Sequence, residues 1–336
     1  MLAISQGTAI FLELLTAFLW GSWFQAIKRT GDYPLPAFMI WIYIFSNVII
    51  WGVALGLKEL FIPEGVGPSL RARPDLAAIL FLGGILFGIS MQVSMHIMSK
   101  LGIILSISIS ATLTIFTGTF IPMFLNGLPE NVTPFLMAVC ALIFLAATLL
   151  CQFSGVVRDR DAAGGAQKQG VQQTNKQVYL LFVLNIFLGL GYPISMSLGM
   201  RSVTNPQGLP PMLACGVLCL GALAGTLVLS GIRLLHAGAL RTAARPGGKI
   251  LALAFLSAVG HFGGNVTQMI AAPVLSLAVA WPLTSTSHVW SYFWGIVYGE
   301  YRGCSKRAAK LLALGIVLFA AGVLFLTWVL YGRHST

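Results

Sequence analysis

Apolar residues run along this chain in ten stretches, each long enough to cross a bilayer, and nearly every charged residue falls between stretches rather than within one. A hydrocarbon core about 30 Å thick takes roughly 20 residues of helix, and an unpaired backbone group finds no partner there, so each stretch is expected to be helical. The spans fall near residues 8 to 27, 36 to 57, 76 to 97, 102 to 125, 132 to 152, 178 to 199, 211 to 233, 249 to 270, 273 to 298 and 309 to 331. The expected fold class is an all-α membrane protein of ten transmembrane helices.

Polar side chains inside these spans cost free energy in hydrocarbon, so they are expected to face the bundle interior or a wet cavity. Several fall on single helical faces. Span eight carries His261, Asn265 and Gln268 at i, i+4, i+7, and span nine carries Trp281, Ser285, His288 and Tyr292 at i, i+4, i+7, i+11. Span four has Ser110, Thr114 and Thr117 on a comparable stripe. Span one aligns Glu13, Thr16, Trp20 and Trp23, and span two aligns Tyr43, Asn47 and Trp51. Span three offers Gln92 and His96, and span six offers Asn185, Tyr192 and Ser195. The expected solute contacts are Trp20, Trp23, Tyr43, Asn47, Gln92, His96, Thr114 and Tyr192, with the whole stripes of spans eight and nine.

Composition agrees with a membrane location: 57% of residues are hydrophobic and 9% charged, against about a quarter charged in soluble chains. The net charge of +11 does not point to nucleic acid, because the basic residues sit in loops rather than on one folded face. Alternate loops hold 15 of the 20 basic residues, among them Lys28, Arg29, Arg158, Arg241 and Arg307, while the other side holds Lys58, Arg71, Arg73, Arg201 and Arg333. The positive-inside rule makes the first set cytoplasmic, so a multi-pass protein of the cell membrane with both termini outside is expected. The start lacks a basic n-region and a small-residue cleavage site, so the first span is expected to remain. Cys140, Cys151, Cys215, Cys219 and Cys304 show no metal or disulfide spacing and are expected to be packing residues.

The polar inventory is aromatic rings plus neutral donors and acceptors, with no Arg or Lys well inside a span. A phosphorylated or strongly anionic solute would want such a cation near its charge. A neutral polar solute fits better: the flat face of a sugar, ureide or nucleobase stacks on Trp20, Trp23 or Trp281 while Asn, Gln, Ser and His bond its polar edges. Glu13 is the single acid placed inside a span, and with His288 it is the expected proton-coupling group. No metal motif, phosphate loop or nucleophile elbow appears, so neither an enzyme nor a cofactor or metal is expected. A channel would want a filter sequence or charge ring.

Residues 156–177, rich in Gly, Ala, Gln and paired charges, read as a cytoplasmic linker between a first five-span half (1–155) and a second (178–336). At an offset of about 170 residues the halves match weakly, Phe18, Leu19 and Trp23 with Phe187, Leu188 and Tyr192, and Leu105, Ser106 and Ile107 with Leu275, Ser276 and Leu277. Because five is odd, the second copy is inverted, a plan common among secondary transporters. Gly84 with Gly88, Gly221 with Gly225 and Gly260 with Gly264 have the small-xxx-small spacing of close helix packing.

Three patches carry a resemblance to a family: FLWGSWFQAIKR (Phe18 to Arg29), the stretch from Met91 to Gly127, and HVWSYFWGIVYGEYRG (His288 to Gly303). They resemble the opening, third-to-fourth and ninth helices of the drug/metabolite transporter superfamily, in its branch of L-rhamnose-proton symporters, glucose/ribose porters and ureide permeases. The resemblance implies a five-plus-five inverted repeat, a central cavity from helices one to four and six to nine, peripheral helices five and ten, and proton-linked sugar or ureide uptake. Many carriers of that superfamily are drawn with cytoplasmic termini, the opposite of what the basic residues imply here. The expected function is import of a monosaccharide by proton symport. A ureide or nucleobase permease, or a passive facilitator or exporter, stands as the alternative. Oligomeric state is left open.

Overall fold

The computed structural model describes residues 4–101, 115, 117–130, 132–162, 176–299 and 301–331. Its principal helices are α1 (Gln6–Ser22), α2 (Leu35–Gly56), α3 (Pro74–Leu101), α4 (Pro134–Ala162), α5 (Lys176–Gly189), α6 (Gly191–Gly199), α7 (Pro211–His236), α8 (Gly248–Leu275), α9 (Leu277–Thr284), α10 (Ser287–Val297) and α11 (Lys306–Tyr331). Among the described residues, extended pairing is confined to two isolated bridges, Met200 with Leu209 and Ser202 with Asn205. Among the described residues, seven stretches are long and apolar enough to cross a membrane: Gln6–Ile27, Leu35–Gly56, Pro74–Ile97, Pro134–Arg158, Pro211–His236, Gly248–Leu275 and Lys306–Tyr331. Large apolar side chains on these helices face outward, such as Leu82, Val228, Leu256 and Leu324. In water such a girdle is an aggregation liability, whereas in lipid it is the solvated surface. The chain is an all-α membrane protein.

Local chemistry sets the helix ends. The Ser5 hydroxyl accepts the Thr8 amide at 3.1 Å and caps α1. Proline opens α2, α3, α4 and α7, where its missing N–H costs no hydrogen bond. The stretches expected as spans six and nine are each broken in two. Span six parts at Leu190, and shortly after the break Pro193 has no N–H to return to the Gly189 carbonyl. Span nine parts at Ser285 and Thr286, where the Thr286 amide bonds the Leu283 carbonyl three residues back. Three neighbouring hydroxyls, on Thr284, Ser285 and Thr286, bond back to their own chain and tighten that turn. The sequence pattern places a loop at 271–272, but α8 continues through Pro273 to Leu275 and turns at Ser276 straight into α9. Ser276 stands at φ 69°, ψ 154°, a conformation near the region reserved for glycine and costing about 1–3 kcal/mol. Most of span four, residues 102–114, and the middle of the linker, 163–175, lie outside the described residues. The linker's first residues, 156–162, are not loop but a continuation of α4. There Arg158 stacks on the Tyr301 ring at 5.1 Å, and Asp161 accepts the Ser305 amide at 2.8 Å ahead of α11.

Among the described residues two large buried apolar clusters and a small third one, about Val93 and Ile97, organise the bundle. The first joins α2, α3, α6, α7, α8 and α9, and the second joins α4, α11, α9 and the end of α8 to the start of α1. Helices from the two halves pack against one another: α3 on α7, α2 on α7 and α8, α1 on α8, and α5 and α6 on α3. The pair α4 and α11 forms a separate outer hairpin, with Phe144 and Phe319 in ring contact at 5.9 Å. Glycines make the α3–α7 crossing possible. A Cβ at Gly84 would strike the Leu218 carbonyl, at Gly88 the Ala222 carbonyl, at Gly221 the Phe81 carbonyl and at Gly225 the Ile85 carbonyl.

At the end of the bundle away from most basic residues, the segment from Met200 to Leu209 covers the α8–α9 turn. The Val203 amide donates to the Pro273 carbonyl at 2.9 Å, and the Asn205 amide group lies 3.1 Å from each of the Ser197, Leu198 and Met200 carbonyls. Arg201 donates to Glu64 at 2.7 Å, which holds that carboxyl below the ordinary carboxylate range. A depressed folded-state value means the tether is intact at neutral pH and is lost as pH falls through that value. The pair is partly exposed and so is worth at most about 1 kcal/mol. Protection of the Val203 and Leu209 amides, measured relative to their intrinsic exchange rate at each pH, is therefore expected to fall in acid, and Glu64→Gln to show the lower protection already at neutral pH.

Candidate functional site

A cavity of about 330 Å³ lies between α1, α3, α5, α6, α8, α9 and α10, with Thr117 of the span-four stripe also on its wall, the low end of the roughly 300–1,000 Å³ usual for small-molecule sites. A continuous band of rings walls it. Trp23 meets His261 at 4.7 Å between centroids, His261 meets Phe87 at 6.0 Å and Phe87 meets Tyr192 at 5.1 Å. Tyr192 meets Trp281 at 5.4 Å, and Trp281 meets Trp20 at 6.2 Å. Small residues let the rings lie so close to backbone. A Cβ at Gly264 would meet the Trp20 indole, one at Gly260 the Trp23 Cβ, and one at Gly118 the Trp281 indole.

Polar groups gather at two places on this wall. The Ser90 hydroxyl donates to Asn185 Oδ1 at 3.0 Å, and Asn185 Nδ2 donates to Ser94 at 2.8 Å, joining α3 to α5. On the other side the Tyr192 hydroxyl reaches Asn265 Oδ1 at 2.8 Å and Gln268 Oε1 at 2.9 Å. Asn265 Nδ2 is held by the His261 carbonyl at 3.0 Å, and Trp20 Nε1 donates to the same carbonyl at 2.9 Å. The half-helix α10 begins at the cavity with Ser287 and His288, so its positive dipole end faces any oxygen bound there. Among the described residues no Lys, Arg, Asp or Glu lines the cavity.

Of the side chains expected to touch solute, Trp20, Trp23, Tyr192, His261, Asn265, Trp281 and His288 line the cavity. Gln268 stands behind Tyr192. Tyr43, fully buried, lies behind His261 with ring centroids 5.8 Å apart. Asn47 donates to the Tyr43 and Cys219 carbonyls and joins α2 to α7. Gln92 does the same between α3 and α7, donating to the Thr226 carbonyl and Ser230. His96 lies in a groove with Leu35, Met39 and Arg233. Ser285 bonds back to the Trp281 carbonyl, and Tyr292 packs against the second apolar cluster. Thr114 lies outside the described residues. Helices α2 and α7 contribute no wall, unlike the eight-helix cavity implied by the resemblance. Phe87, Ser90, Met91, Ser94 and Ser287 also line the cavity, and the polar stripes do not mark them. Their one signal in the sequence is Ser90 and Ser94 at i, i+4 in an apolar helix.

Glu13 has no exposed surface, and neither carboxyl oxygen has a hydrogen-bond partner. A bare carboxylate there would cost several kcal/mol. The antiparallel register of α1 on α8 locates it: Trp23 meets Ser257 and Gly260, Trp20 meets His261 and Gly264, and Thr16 meets Gly264 and Thr267. One turn further, Glu13 falls level with Gln268 and Ala271. Gln268 Nε2 and His261 Nδ1 are likewise buried without partners.

No family model matches the chain, and no curated protein matches it. A solved structure described only as "Crystal structure of protein" superposes with a TM-score of 0.60, covering 97% of this chain and 99% of the other at 18% identity. At that identity the likeness is one of fold.

Proposed function

We propose that the protein is a secondary transporter of a small neutral solute, a monosaccharide first, working by alternating access and coupled to protons. The observation that carries this reading is the uncharged, ring-walled cavity in the middle of a membrane bundle, built from helices of both halves. Aromatic faces take the flat side of a sugar while Ser94, Ser287 and His288 address its hydroxyls. A ureide or nucleobase is the second reading, favoured because Asn185 and Asn265 each already spend one amide hydrogen, and Trp20 its single N–H, within the protein, so that stacking on rings outweighs hydrogen bonding in what the cavity offers.

The ten-span, five-plus-five inverted plan belongs to this proposal, as does membership of the drug/metabolite transporter superfamily. The packing supports the repeat. Exchanging each span with the one five places on turns the α1–α8 contact into that of α5 and α6 with α3, and the α2–α8 contact into α7–α3. The pairs α2–α7 and α4–α11 map onto themselves. Broken helices at the middle of spans six and nine fit a transporter's site. The bias of basic residues toward alternate loops supports both termini outside a cell membrane. In α3, the wall residues Phe87, Ser90, Met91 and Ser94 lie toward the basic end, so the cavity belongs to an inward-facing state. Glu13 is the coupling group.

Counterflow in proteoliposomes with labelled sugars, ureides and nucleobases, with and without a pH gradient, tests the proposal. Saturable exchange of one class is expected, with accumulation only under the gradient. If none of the three classes exchanges, the reading is lost. In Glu13→Gln, counterflow is expected to persist while gradient-driven accumulation disappears. An unchanged pH dependence in that variant would remove Glu13 from the coupling.

A further inference from the structure

The Tyr192 hydroxyl has one proton and two carbonyl oxygens in reach, Asn265 Oδ1 at 2.8 Å and Gln268 Oε1 at 2.9 Å. Asn265 cannot turn its amide over, because its Nδ2 is engaged by the His261 carbonyl at 3.0 Å. The Tyr192 proton therefore belongs to Asn265. Gln268 relieves the remaining clash of oxygens by turning its own amide, so that Nε2 donates to Tyr192 Oη and Oε1 moves to where Nε2 now stands without a partner. A buried carbonyl oxygen there needs a donor. The α1–α8 register brings Glu13, both of whose oxygens are unpartnered, to that level, and only its protonated carboxyl has a hydrogen to give.

We propose that Gln268 is a positioning residue that relays the protonation state of Glu13 to Tyr192 on the cavity wall. This rests on the carrier reading above and says how its coupling ion is felt by the solute site. With Glu13 neutral, its O–H donates to Gln268 Oε1 and Gln268 Nε2 donates to Tyr192. When Glu13 releases its proton to water, the carboxylate draws Gln268 Nε2 to itself. Gln268 Oε1 then turns to Tyr192 and competes with Asn265 for the phenolic hydrogen, so the ring that touches Phe87 and Trp281 loses its fixed partner. The titratable groups on the elements around α1 are His261 on α8, Tyr192 on α6, His288 and Tyr292 on α10, Cys140 and Cys151 on α4, and Tyr331 on α11, near Gly7; Lys249 opens α8, and Lys306, Arg307 and Lys310 open α11. No lysine or arginine stands beside Glu13 on those helices to hold it ionised.

Two spectroscopic signals from the full chain in lipid nanodiscs test the relay without any solute. Infrared difference spectra across a pH titration are expected to show a protonated-carboxyl band at neutral pH that Glu13→Gln removes. The part of the emission of the eight tryptophans that Trp281→Phe removes, which reports Trp281 beside Tyr192, is expected to change over the same pH range and to stay flat in Glu13→Gln. Gln268→Leu and the near-isosteric Tyr192→Phe are each expected to keep the titrating band and lose the emission change. An emission change that survives in both, or in Glu13→Gln, overturns the relay, as does a Glu13 already ionised at neutral pH. Neither signal reads transport, so a failed relay leaves the counterflow test standing. Silent counterflow with an intact relay would count against the carrier alone.

Discussion

Gly84→Ala and Gly221→Ala are each expected to lower the thermal midpoint sharply and to leave little folded protein in detergent. Overfilling a packed core usually costs about 1–3 kcal/mol because a side chain can be pushed to another rotamer. At these positions the added methyl meets the Leu218 and Phe81 backbone carbonyls, which have no rotamer to change. Relief requires α3 and α7 to separate along the whole crossing. Gly52→Ala and Gly231→Ala provide the control, since a Cβ at either has no heavy atom within 4 Å. Alanine is the better helix former by about 1 kcal/mol, so these two are expected to be neutral or slightly stabilising. Size-exclusion profiles after stepwise heating read the difference. Equal shifts in the two pairs would show that the crossing is not held as tightly as its glycines imply.

Trp281→Ala carries the second large effect, on both folding and solute. Trp281 is 7% exposed and touches Tyr192 and Trp20, so truncation should cost about 3–5 kcal/mol of stability. It also removes a wall of the cavity. Losing roughly 1.5–3 kcal/mol of apolar burial against the solute, at about 1.4 kcal/mol per factor of ten, predicts a rise in half-saturation of at least about tenfold. Trp281→Phe keeps an apolar ring and should recover most of the stability but only part of the affinity. Half-saturation unchanged in both variants would mean that the solute does not rest on this indole.

The long apolar helices are legible in the sequence because length and hydropathy suffice to define them, and α2, α3, α7 and α11 lie where the pattern puts them. Breaks within spans are harder to read. Pro273 sits inside α8 without ending it, whereas span nine parts at Ser285 and Thr286, three residues past Pro282. A proline marks a missing donor, but whether a helix ends there depends on who takes the freed carbonyls. Helical stripes locate polar side chains but not their partners. In α3, Gln92 faces α7 while Ser90 and Ser94, half a turn away, face Asn185 and the cavity. A helix at the centre of a bundle is buried on several sides, so periodicity identifies its polar faces without ranking them. Glu13 is the reverse case: its type alone marks it, and its lack of any partner is visible only in the packed structure.

The glycine crossing of α3 on α7 bears on how such a bundle can move. Each of these glycines faces a backbone carbonyl with no room for a Cβ, so a slide would drive a neighbouring side chain into that carbonyl, and the two helices travel together. Helix α3 precedes the linker and α7 follows it, so under the proposed alternating access the blocks that rock against each other would not be the two halves of the sequence. A disulfide engineered across that crossing should therefore be mechanically silent, while one between α3 and α5, whose contact includes the Ser90, Asn185 and Ser94 hydroxyl and amide bonds, should arrest turnover.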